Sequence, residues 1–249
     1  MTALSVESSS QATEASRLGG KGVREMFGRI TPQYDFLNRL LSFRQDVAWR
    51  KLAVKESGIQ SGDRVLDLCC GTGDLGLEFA RAGARVTGMD FCRPMLQEAR
   101  KKGLGLLAEA DTSRLPVKEG QFDVVSAAFG IRNVVDYRAA LSGMVRALKP
   151  GGRLVILEFS SPERTLSRAP ALFYLEQVLP RVASLIGDGE AYSYLSRSVG
   201  AFPNAQTFSG CIAEAGCPAP RLIEMNFGTV GLHVGVKPST LPSSHGGDG

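Results

Sequence analysis

The sequence predicts an α/β fold built on a mostly parallel sheet with helices on both faces. Three observations support this: apolar strands alternate with helical stretches, a glycine loop follows the first strand, and two apolar runs close the chain. The alternation predicts, in order, a strand over 64–68, a helix near 75–82, a strand over 85–89, a helix over 94–102, strands over 104–109 and 122–127, a helix over 137–148 and a strand over 153–159.

Turns and flanking segments complete this outline. Residues 149–152 read Lys-Pro-Gly-Gly and predict a turn between a helix and the following strand. The late runs 221–226 and 230–236 predict an antiparallel hairpin at the sheet edge. Ahead of the first strand, residues 21–60 show helical spacing with a break at Pro32, and we interpret them as an N-terminal helical cap.

A length of 249 residues suits one globular domain with additions, which we place at residues 21–237. Residues 1–20, rich in Ser, Ala and Thr, are predicted to form a disordered leader, and a targeting peptide stays open as its role. Residues 238–249 are predicted to be a disordered tail. Residues 161–200 are interpreted as a helical lid, because their apolar and basic residues resemble an amphipathic segment that contacts a bilayer. A buried helix pair is the alternative.

Charge and cysteine content narrow the class of protein. The 29 basic and 25 acidic residues give a net charge of +4, and the basic residues are scattered, so no nucleic-acid partner is predicted. A mild basic bias is compatible with an anionic membrane surface. No stretch approaches the roughly 18 apolar residues of a membrane span, so we expect a cytoplasmic protein that reaches a membrane only from outside. The cysteines show no metal-binding spacing and are interpreted as reduced packing residues: Cys69, Cys70, Cys92, Cys211 and Cys217.

Residues 65–75 predict a buried strand that runs into a glycine loop and opens a helix. Ligands bind at this position in doubly wound sheets. Gly71 and Gly73 let the backbone approach a ligand closely. Gly76 completes the spacing G-x-G-x-x-G, so the glycines alone fit a nicotinamide-dependent oxidoreductase as well as a protein that binds S-adenosylmethionine.

Carboxylates around this loop favour the second ligand. Asp67 and Asp74 would repel a pyrophosphate and stabilise the ammonium and sulfonium of S-adenosylmethionine, although Asp74 has helix capping as an alternative role. Asp90 ends the second strand, where a carboxylate accepts ribose hydroxyls. Asp111-Thr112 follow the third strand, where a carboxylate can accept from the adenine amino group. We therefore predict S-adenosylmethionine as the cofactor and no metal site.

Further segments carry a resemblance to a known family. They are Tyr34-Asp35-Phe36-Leu37-Asn38 with Ser42, Phe43 and Trp49, then Phe129-Gly130-Ile131-Arg132-Asn133-Val134, then residues 148–160, and more weakly residues 192–203. With them the sequence resembles, from about Lys21 to Lys237, the quinone-biosynthesis C-methyltransferases. The resemblance implies a Rossmann-like class I methyltransferase with a seven-stranded sheet, and cofactor contacts at Thr72, Asp90 and Asp111-Thr112.

The resemblance also implies C-methylation of a polyprenylated quinol, with demethylmenaquinol or the ubiquinol precursor as acceptor. Arg132 and Asn133 are candidates for holding the acceptor's oxygens, and Tyr34 and Asp35 for orienting a hydroxyl or serving as base. A loop-stabilising pair and packing within the cap are the respective alternatives. His233, inside the last strand, is interpreted as a packed residue rather than a base.

Two positions depart from the pattern of that family. Asp46 stands where a histidine is usual, and Ala128 stands where a serine can lie. An oxidoreductase and an inactive binding module stay open as alternatives to a methyltransferase. The resemblance is compatible with peripheral membrane contact and with a homodimer, but the residues by themselves indicate neither.

Overall fold

A computed structural model of the chain describes residues 14–161 and 189–239. The predicted lid covers residues 161–200, of which 162–188, including the apolar and basic segment 164–187, lie outside the described residues. So do residues 1–13 of the expected leader and residues 240–249 of the expected tail. Among the helices that are described, none is long and apolar enough to cross a bilayer.

The described elements follow the predicted alternation. The helices are α1 (Glu14–Leu41), α2 (Gln45–Glu56), α3 (Asp74–Arg81), α4 (Arg93–Lys101), α5 (Tyr137–Ala147), α6 (Gly189–Ala201) and α7 (Ala205–Glu214). The strands are β1 (Arg64–Leu68), β2 (Arg85–Asp90), β3 (Leu106–Glu109), β4 (Phe122–Ala128), β5 (Leu148–Phe159), β6 (Arg221–Met225) and β7 (Val230–Val236). Short 3₁₀ turns cover Thr112–Arg114, Ile131–Asn133 and Asn226–Gly228.

The strands form one seven-stranded sheet in the order β3-β2-β1-β4-β5-β7-β6. All neighbours from β3 to β5 are parallel, while β7 is antiparallel to both β5 and β6. This confirms the predicted parallel sheet with an antiparallel hairpin at one edge. Since the chain leaves β1 in one direction for β2 and β3 and later returns to its other side as β4, a crevice opens beyond the carboxyl ends of β1 and β4.

Two hydrophobic clusters cover the two faces of the sheet. One packs α5 and α7 against the strands through Leu141, Met144 and Phe208, and the other packs α2, α3 and α4 through residues that include Trp49 and Phe79. Residues of the central strands contribute to both clusters, because successive side chains of a strand point to opposite faces. Helices on both faces are what the continuous apolar strands predict.

Helix α1 differs from the sequence-based expectation. It continues through Pro32, where we expected a break, and its non-helical residue is Gly19, with φ 69° and ψ 156°. Proline removes one backbone donor and crowds the preceding turn, but packing of a helix can outweigh that penalty. Here Val23 and Met26 are buried against Tyr194 of α6, and the Thr31 hydroxyl donates to the Phe27 carbonyl. The expected break at Pro32 is therefore wrong.

Strand β5 also begins earlier than expected, at Leu148 rather than Arg153. Its pairing with β4 shifts register between Phe122 and Val124, so the Lys-Pro-Gly-Gly segment forms an irregularity inside the strand. Gly151, with φ 75°, gives this segment the left-handed backbone that it needs. The predicted turn thus exists, but the strand continues on both sides of it.

His233 is packed inside β7, as the sequence indicates. It is 2% exposed, its Nδ1 lies 2.9 Å from the Ser209 hydroxyl, and the Phe208 ring meets it edge-on. Burial lowers the pKa of His233 from 6.5 to about 4, so the folded protein holds this imidazole neutral.

We expect His233 to destabilise the fold in acid. Its folded pKa lies below its unfolded pKa, so its contribution is fully present above pH 6.5 and is lost as the pH falls toward 4, by about 2–3 kcal/mol at pH 4.5. Urea unfolding of wild type and His233→Gln at pH 7.5 and 4.5 measures this. The difference in free energy of unfolding between the two proteins should become smaller or change sign in acid. Parallel curves of unfolding free energy against pH would contradict the assignment.

Candidate active site

A cleft of about 730 Å³, including its open mouth, lies at the carboxyl ends of the parallel strands, beneath helix α1. Residues from α1, from the glycine loop and from the loops after β2, β3 and β4 form its walls. They include Phe27, Tyr34, Cys69, Gly71, Asp90, Phe91, Asp111, Thr112, Ala128, Phe129, Asn133 and Val134. The position is the one that the strand-to-glycine-loop pattern predicts.

The glycine loop turns sharply between β1 and α3. Gly71 and Gly73 have φ of 53° and 83°, and the Gly73 amide donates to the Cys70 carbonyl at 2.8 Å. A Cβ on Gly71 would meet no atom within 4 Å, whereas one on Gly73 would lie 3.0 Å from the Ala99 Cβ of α4. Gly71 thus leaves the cleft open to a ligand, while Gly73 lies off the cleft and lets α4 pack against the loop.

Asp90 connects the glycine loop to the end of β2. One carboxylate oxygen accepts the Gly71 amide and the other accepts the Cys92 amide, both at 2.8 Å. The side chain is 5% exposed, and burial raises its pKa to about 6 against the lowering effect of these bonds. A carboxylate offers about four lone pairs, so two acceptors remain for hydroxyl groups of a ligand.

Asp111 and Thr112 form the wall that follows β3. The Asp111 carboxylate accepts the Ser113 amide at 2.9 Å and so caps the short 3₁₀ turn. The Thr112 hydroxyl lies 3.3 Å from the Cys69 thiol across the cleft floor. Burial raises the pKa of Cys69, which keeps it a protonated thiol. The structure therefore brings Asp111 and Thr112 to the cleft, as the sequence predicts.

The loops after β1 and β4 touch behind this floor. A Cβ on Gly130 would lie 2.3 Å from the Cys69 Cβ, so only glycine fits there. Cys69 and Phe129 both have left-handed backbones, with φ of 48° and 57°. Strain of this kind persists only where neighbouring packing enforces it. The other cysteines, Cys70, Cys92, Cys211 and Cys217, are buried, in agreement with a packing role.

Asp67 and Asp74, which are predicted to stabilise the positive charges of the donor, have different surroundings in the structure. Asp67 is 1% exposed and lies off the cleft, where it accepts the Ser126 hydroxyl at 2.8 Å, and burial raises its pKa to about 7. Burial opposes ionisation of Asp74 as well, but Lys102, Arg50 and Arg39 outweigh it and lower its pKa. Asp74 is thus paired with cations of the protein, whereas the second oxygen of Asp67 has no hydrogen-bond partner among the described residues.

Thr72 and Asp35 also lie off the cleft, bound to each other. The Thr72 hydroxyl donates to Asp35 at 2.6 Å and accepts from Lys102 at 3.0 Å. The hydroxyl of Thr72 is thus already used within the protein. The predicted roles of Thr72 in cofactor contact and of Asp35 as a base stay predictions, to which the structure adds these protein partners.

Of the four catalytic candidates, Tyr34 and Asn133 line the cleft. Tyr34 packs edge-on against Phe27 with ring centroids 6.1 Å apart, and burial raises its pKa against hydrogen bonding to Asn38. Asn133 accepts the Tyr194 hydroxyl at 3.0 Å. A raised pKa leaves the Tyr34 hydroxyl protonated near neutral pH, so it is a donor rather than a base.

Arg132 lies behind the wall rather than on it. Its guanidinium is 2.6 Å from the Glu158 carboxylate and donates to the Phe129 carbonyl, and its backbone amide reaches the other Glu158 oxygen at 3.2 Å. Both side chains are buried. The pair fixes the loop that carries Asn133, and the predicted role of Arg132 in holding an acceptor stays a prediction.

Three residues of this region had no role assigned from the sequence: Glu158, Tyr194 and Lys102. Glu158 and Tyr194 belong to segments that carry the family resemblance, which was the available signal. Lys102 lies at the end of a helix, where a basic residue is ordinary, so nothing local marked it. Among the residues described, no group of three or more His, Cys, Asp or Glu is arranged to hold a metal.

Comparison with known proteins identifies the family. A model of the ubiE/COQ5 methyltransferase family matches residues 13–237. The chain belongs to this family, and its methyl donor is S-adenosylmethionine. The demethylmenaquinone methyltransferase of Thermus thermophilus is 44% identical over 221 residues, which are 86% of this chain and 100% of that protein. The ubiquinone/menaquinone biosynthesis C-methyltransferase UbiE of Geobacter sulfurreducens is 42% identical over 88% of this chain and 89% of its own.

Solved structures agree on the fold. An S-adenosylmethionine-dependent methyltransferase of Thermotoga maritima, described as a possible histamine N-methyltransferase, superposes with a TM-score of 0.63 at 18% identity. The match covers 86% of this chain and 99% of that one. The fold is therefore that of class I methyltransferases, as the sequence predicts, and membership of the family sets aside the nicotinamide alternative.

We expect donor binding to weaken as Asp90 is protonated. With a pKa of about 6 in the free protein, the dissociation constant for S-adenosylmethionine should rise about tenfold between pH 7.5 and 5. Asp90→Asn should bind about 1.5–3 kcal/mol more weakly at pH 7.5 and show a flat pH profile. Titration calorimetry measures both, and an Asp90→Asn protein with wild-type affinity would place the ribose elsewhere.

Proposed function

We propose that the protein transfers a methyl group from S-adenosylmethionine to a ring carbon of a polyprenylated quinol, with demethylmenaquinol as the acceptor. One observation carries the proposal: Tyr34 and Asn133 line the same cleft as Gly71 and Asp90. We call Tyr34 and Asn133 the acceptor wall, and Gly71 and Asp90 the donor wall. The names of the Thermus and Geobacter relatives support a quinone precursor as acceptor.

The residues of the cleft fit the donor. Gly71 leaves open space on the side where a Cβ would project, and the buried Asp90 keeps acceptor positions beyond its two backbone bonds. We infer that Asp90 holds the ribose hydroxyls and that Asp111 accepts from the adenine amino group. When bound, S-adenosylmethionine would supply a methyl group on a positively charged sulfur. Its transfer to the acceptor carbon would break the carbon–sulfur bond, leave a neutral thioether and release the displaced proton of the quinol to water.

Alignment contributes most of the rate in such an in-line displacement. Tyr34 can donate a hydrogen bond to one acceptor oxygen, because its hydroxyl stays protonated. The Asn133 amide has two donor hydrogens, of which one points toward the Phe129 carbonyl at 3.5 Å, so the second is available to the acceptor. The bond from Tyr194 to the Asn133 oxygen sets which way this amide faces.

Demethylmenaquinol and the ubiquinol precursor share the polar head that this wall would hold. The relative from Thermus is named for the first alone, while that from Geobacter is named for both pathways. We favour demethylmenaquinol because the chain is 44% identical to the Thermus relative and 42% identical to the Geobacter relative. Parallel assays with the two quinols distinguish the alternatives.

We expect labelled methyl from S-adenosylmethionine to appear in menaquinol when the protein is given demethylmenaquinol. Tyr34→Phe should lower kcat about ten- to hundredfold, the loss that corresponds to about 1.5–3 kcal/mol for a hydrogen bond to a developing phenolate, with donor affinity unchanged. Scintillation counting of the extracted lipid gives the rate. Donor binding by calorimetry serves as control. Binding without any transfer to either quinol would identify an inactive binding module.

We also propose peripheral contact with a membrane, because a polyprenyl acceptor dissolves in the bilayer. Phe36 and Leu40 are 63% and 40% exposed on α1, the helix that carries Tyr34. They give the exposed face of α1 an apolar surface suited to lipid. Leu106, 63% exposed, lies at the start of β3, at the other end of the strands from α1. It is a matched control for the loss of an exposed apolar side chain elsewhere on the surface.

Liposome flotation tests this contact. Phe36→Ser with Leu40→Ser should reduce the fraction that floats with anionic vesicles about tenfold, since each large apolar side chain is worth roughly 1.5–3 kcal/mol when buried. Leu106→Ser should float like wild type. Equal flotation of all three proteins would exclude this part of α1 as a lipid contact.

A further inference from the structure

A cluster of charged side chains joins the cap to the glycine loop on the side away from the cleft. We name it the latch cluster, and it consists of Asp35 and Arg39 of α1, Arg50 of α2, Thr72 of the loop, Asp74 of α3 and Lys102 after α4. Its members come from four separate segments of the chain: α1, α2, the junction of the glycine loop with α3, and the end of α4. The roles proposed above use none of them.

Lys102 is the centre of the latch cluster. Its ammonium lies 2.6 Å from Asp35, 2.5 Å from Asp74 and 3.0 Å from the Thr72 hydroxyl. These three contacts match the three donor hydrogens of an ammonium. Thr72 in turn donates to Asp35 at 2.6 Å, which closes a ring of hydrogen bonds between α1, the loop and Lys102.

The charges around Lys102 are balanced and partly shielded from water. Arg39 lies 3.3 Å from Asp74, and Arg50 pairs with the buried Asp46 at 2.5 Å while lying 3.9 Å from Asp74. Three acidic and three basic side chains are thus matched. The side chains of Lys102, Asp35 and Asp74 are 25%, 26% and 17% exposed. Pairs shielded to this degree are screened less than surface pairs, so removing one partner leaves charge that water only partly stabilises.

The position of the latch cluster along the chain connects it to both walls of the cleft. Asp35 follows Tyr34 on α1, and neighbouring residues of a helix project about 100° apart, so one can bind Lys102 while the other faces the cleft. Thr72 follows Gly71, whose amide binds Asp90. Lys102 therefore contacts the chain neighbour of a residue in each wall. Asp35 is next to Tyr34 of the acceptor wall, and Thr72 is next to Gly71 of the donor wall.

We propose that Lys102 is a positioning residue for methyl transfer, which fixes the acceptor wall on α1 relative to the donor wall of the glycine loop. This inference rests on the proposed function. Displacement of a reacting group by about 1 Å can lower a rate about a hundredfold, so a small shift of α1 is enough to matter. A residue that only stabilised the fold would lower the unfolding temperature and leave kcat at saturating substrates unchanged.

The chain offers a matched control next to Lys102. Lys101 ends the same helix and has the same charge, but it is 71% exposed and contacts Glu98 within its own helix. Lys102→Met should lower kcat about ten- to hundredfold at saturating donor and acceptor, and Lys101→Met should leave it within twofold. Lys102→Arg, which keeps a cation within reach of Asp35 and Asp74, should restore most of the rate.

Hydrogen exchange of backbone amides gives a second readout that does not depend on activity. In Lys102→Met the amides of residues 33–41 should exchange at least tenfold faster than in wild type, because α1 loses its ion pair with Lys102 and is left with the weaker support of the Thr72–Asp35 and Arg39–Asp74 contacts. Should Lys102→Met fail to fold, Asp35→Asn breaks the same link from the side of α1. An unchanged kcat in whichever of the two variants is folded overturns the proposal.

Combining the two substitutions tests the link itself. If Asp35 acts through Lys102, the double variant should be no slower than the slower single variant. If the fold-reductions in kcat of the two single variants multiply in the double variant, Asp35 does not act through Lys102 and the link is overturned. A wild-type protein that methylates neither quinol, while Lys102→Met still accelerates exchange in α1, would remove the proposed function and leave the latch cluster in place as a structural connection.

Discussion

The cleft depends on the Asp90 carboxylate, which holds the glycine loop against the end of β2 through the Gly71 and Cys92 amides. Without Asp90, these two backbone donors, in the loops after β1 and β2, would lose their protein partner. By accepting both, a single side chain fixes the curvature of the loop and keeps further lone pairs, which we propose accept the ribose hydroxyls of the donor. The same bonds that stabilise this part of the fold therefore also build the donor wall.

The acceptor wall is held by a second set of buried contacts. Glu158 at the end of β5 binds the side chain and backbone of Arg132, and Tyr194 binds Asn133 from α6. A buried ion pair of this kind is weak evidence of net stability, since desolvation offsets much of the attraction. Its role here is to fix geometry, because it holds the conformation of the loop after β4 that carries Asn133.

Much of the fold could be read from the sequence because its signals are local. Apolar strands, helix spacing and Pro-Gly turns depend on neighbouring residues, and they placed β1, β2 and β4 within a residue of their observed ends. The failures arose where distant packing competed with a local preference. Helix α1 passes through Pro32 because Met26 and its neighbours are buried against α6, and no window of sequence around Pro32 contains that information.

At the site, the sequence by itself determined which residues stand at the strand ends, since strand direction and order fix that much: Gly71, Asp90, Asp111 and Thr112 meet in one cleft. Only the tertiary structure decided which carboxylates stay available to a ligand. Asp74 and Asp35 form ion pairs with Lys102 and neighbouring arginines, and Asp67 is buried beside Ser126. The physical reason is that a charge's effect depends on which counter-charges lie within a few ångströms, and those come from segments far apart in the chain.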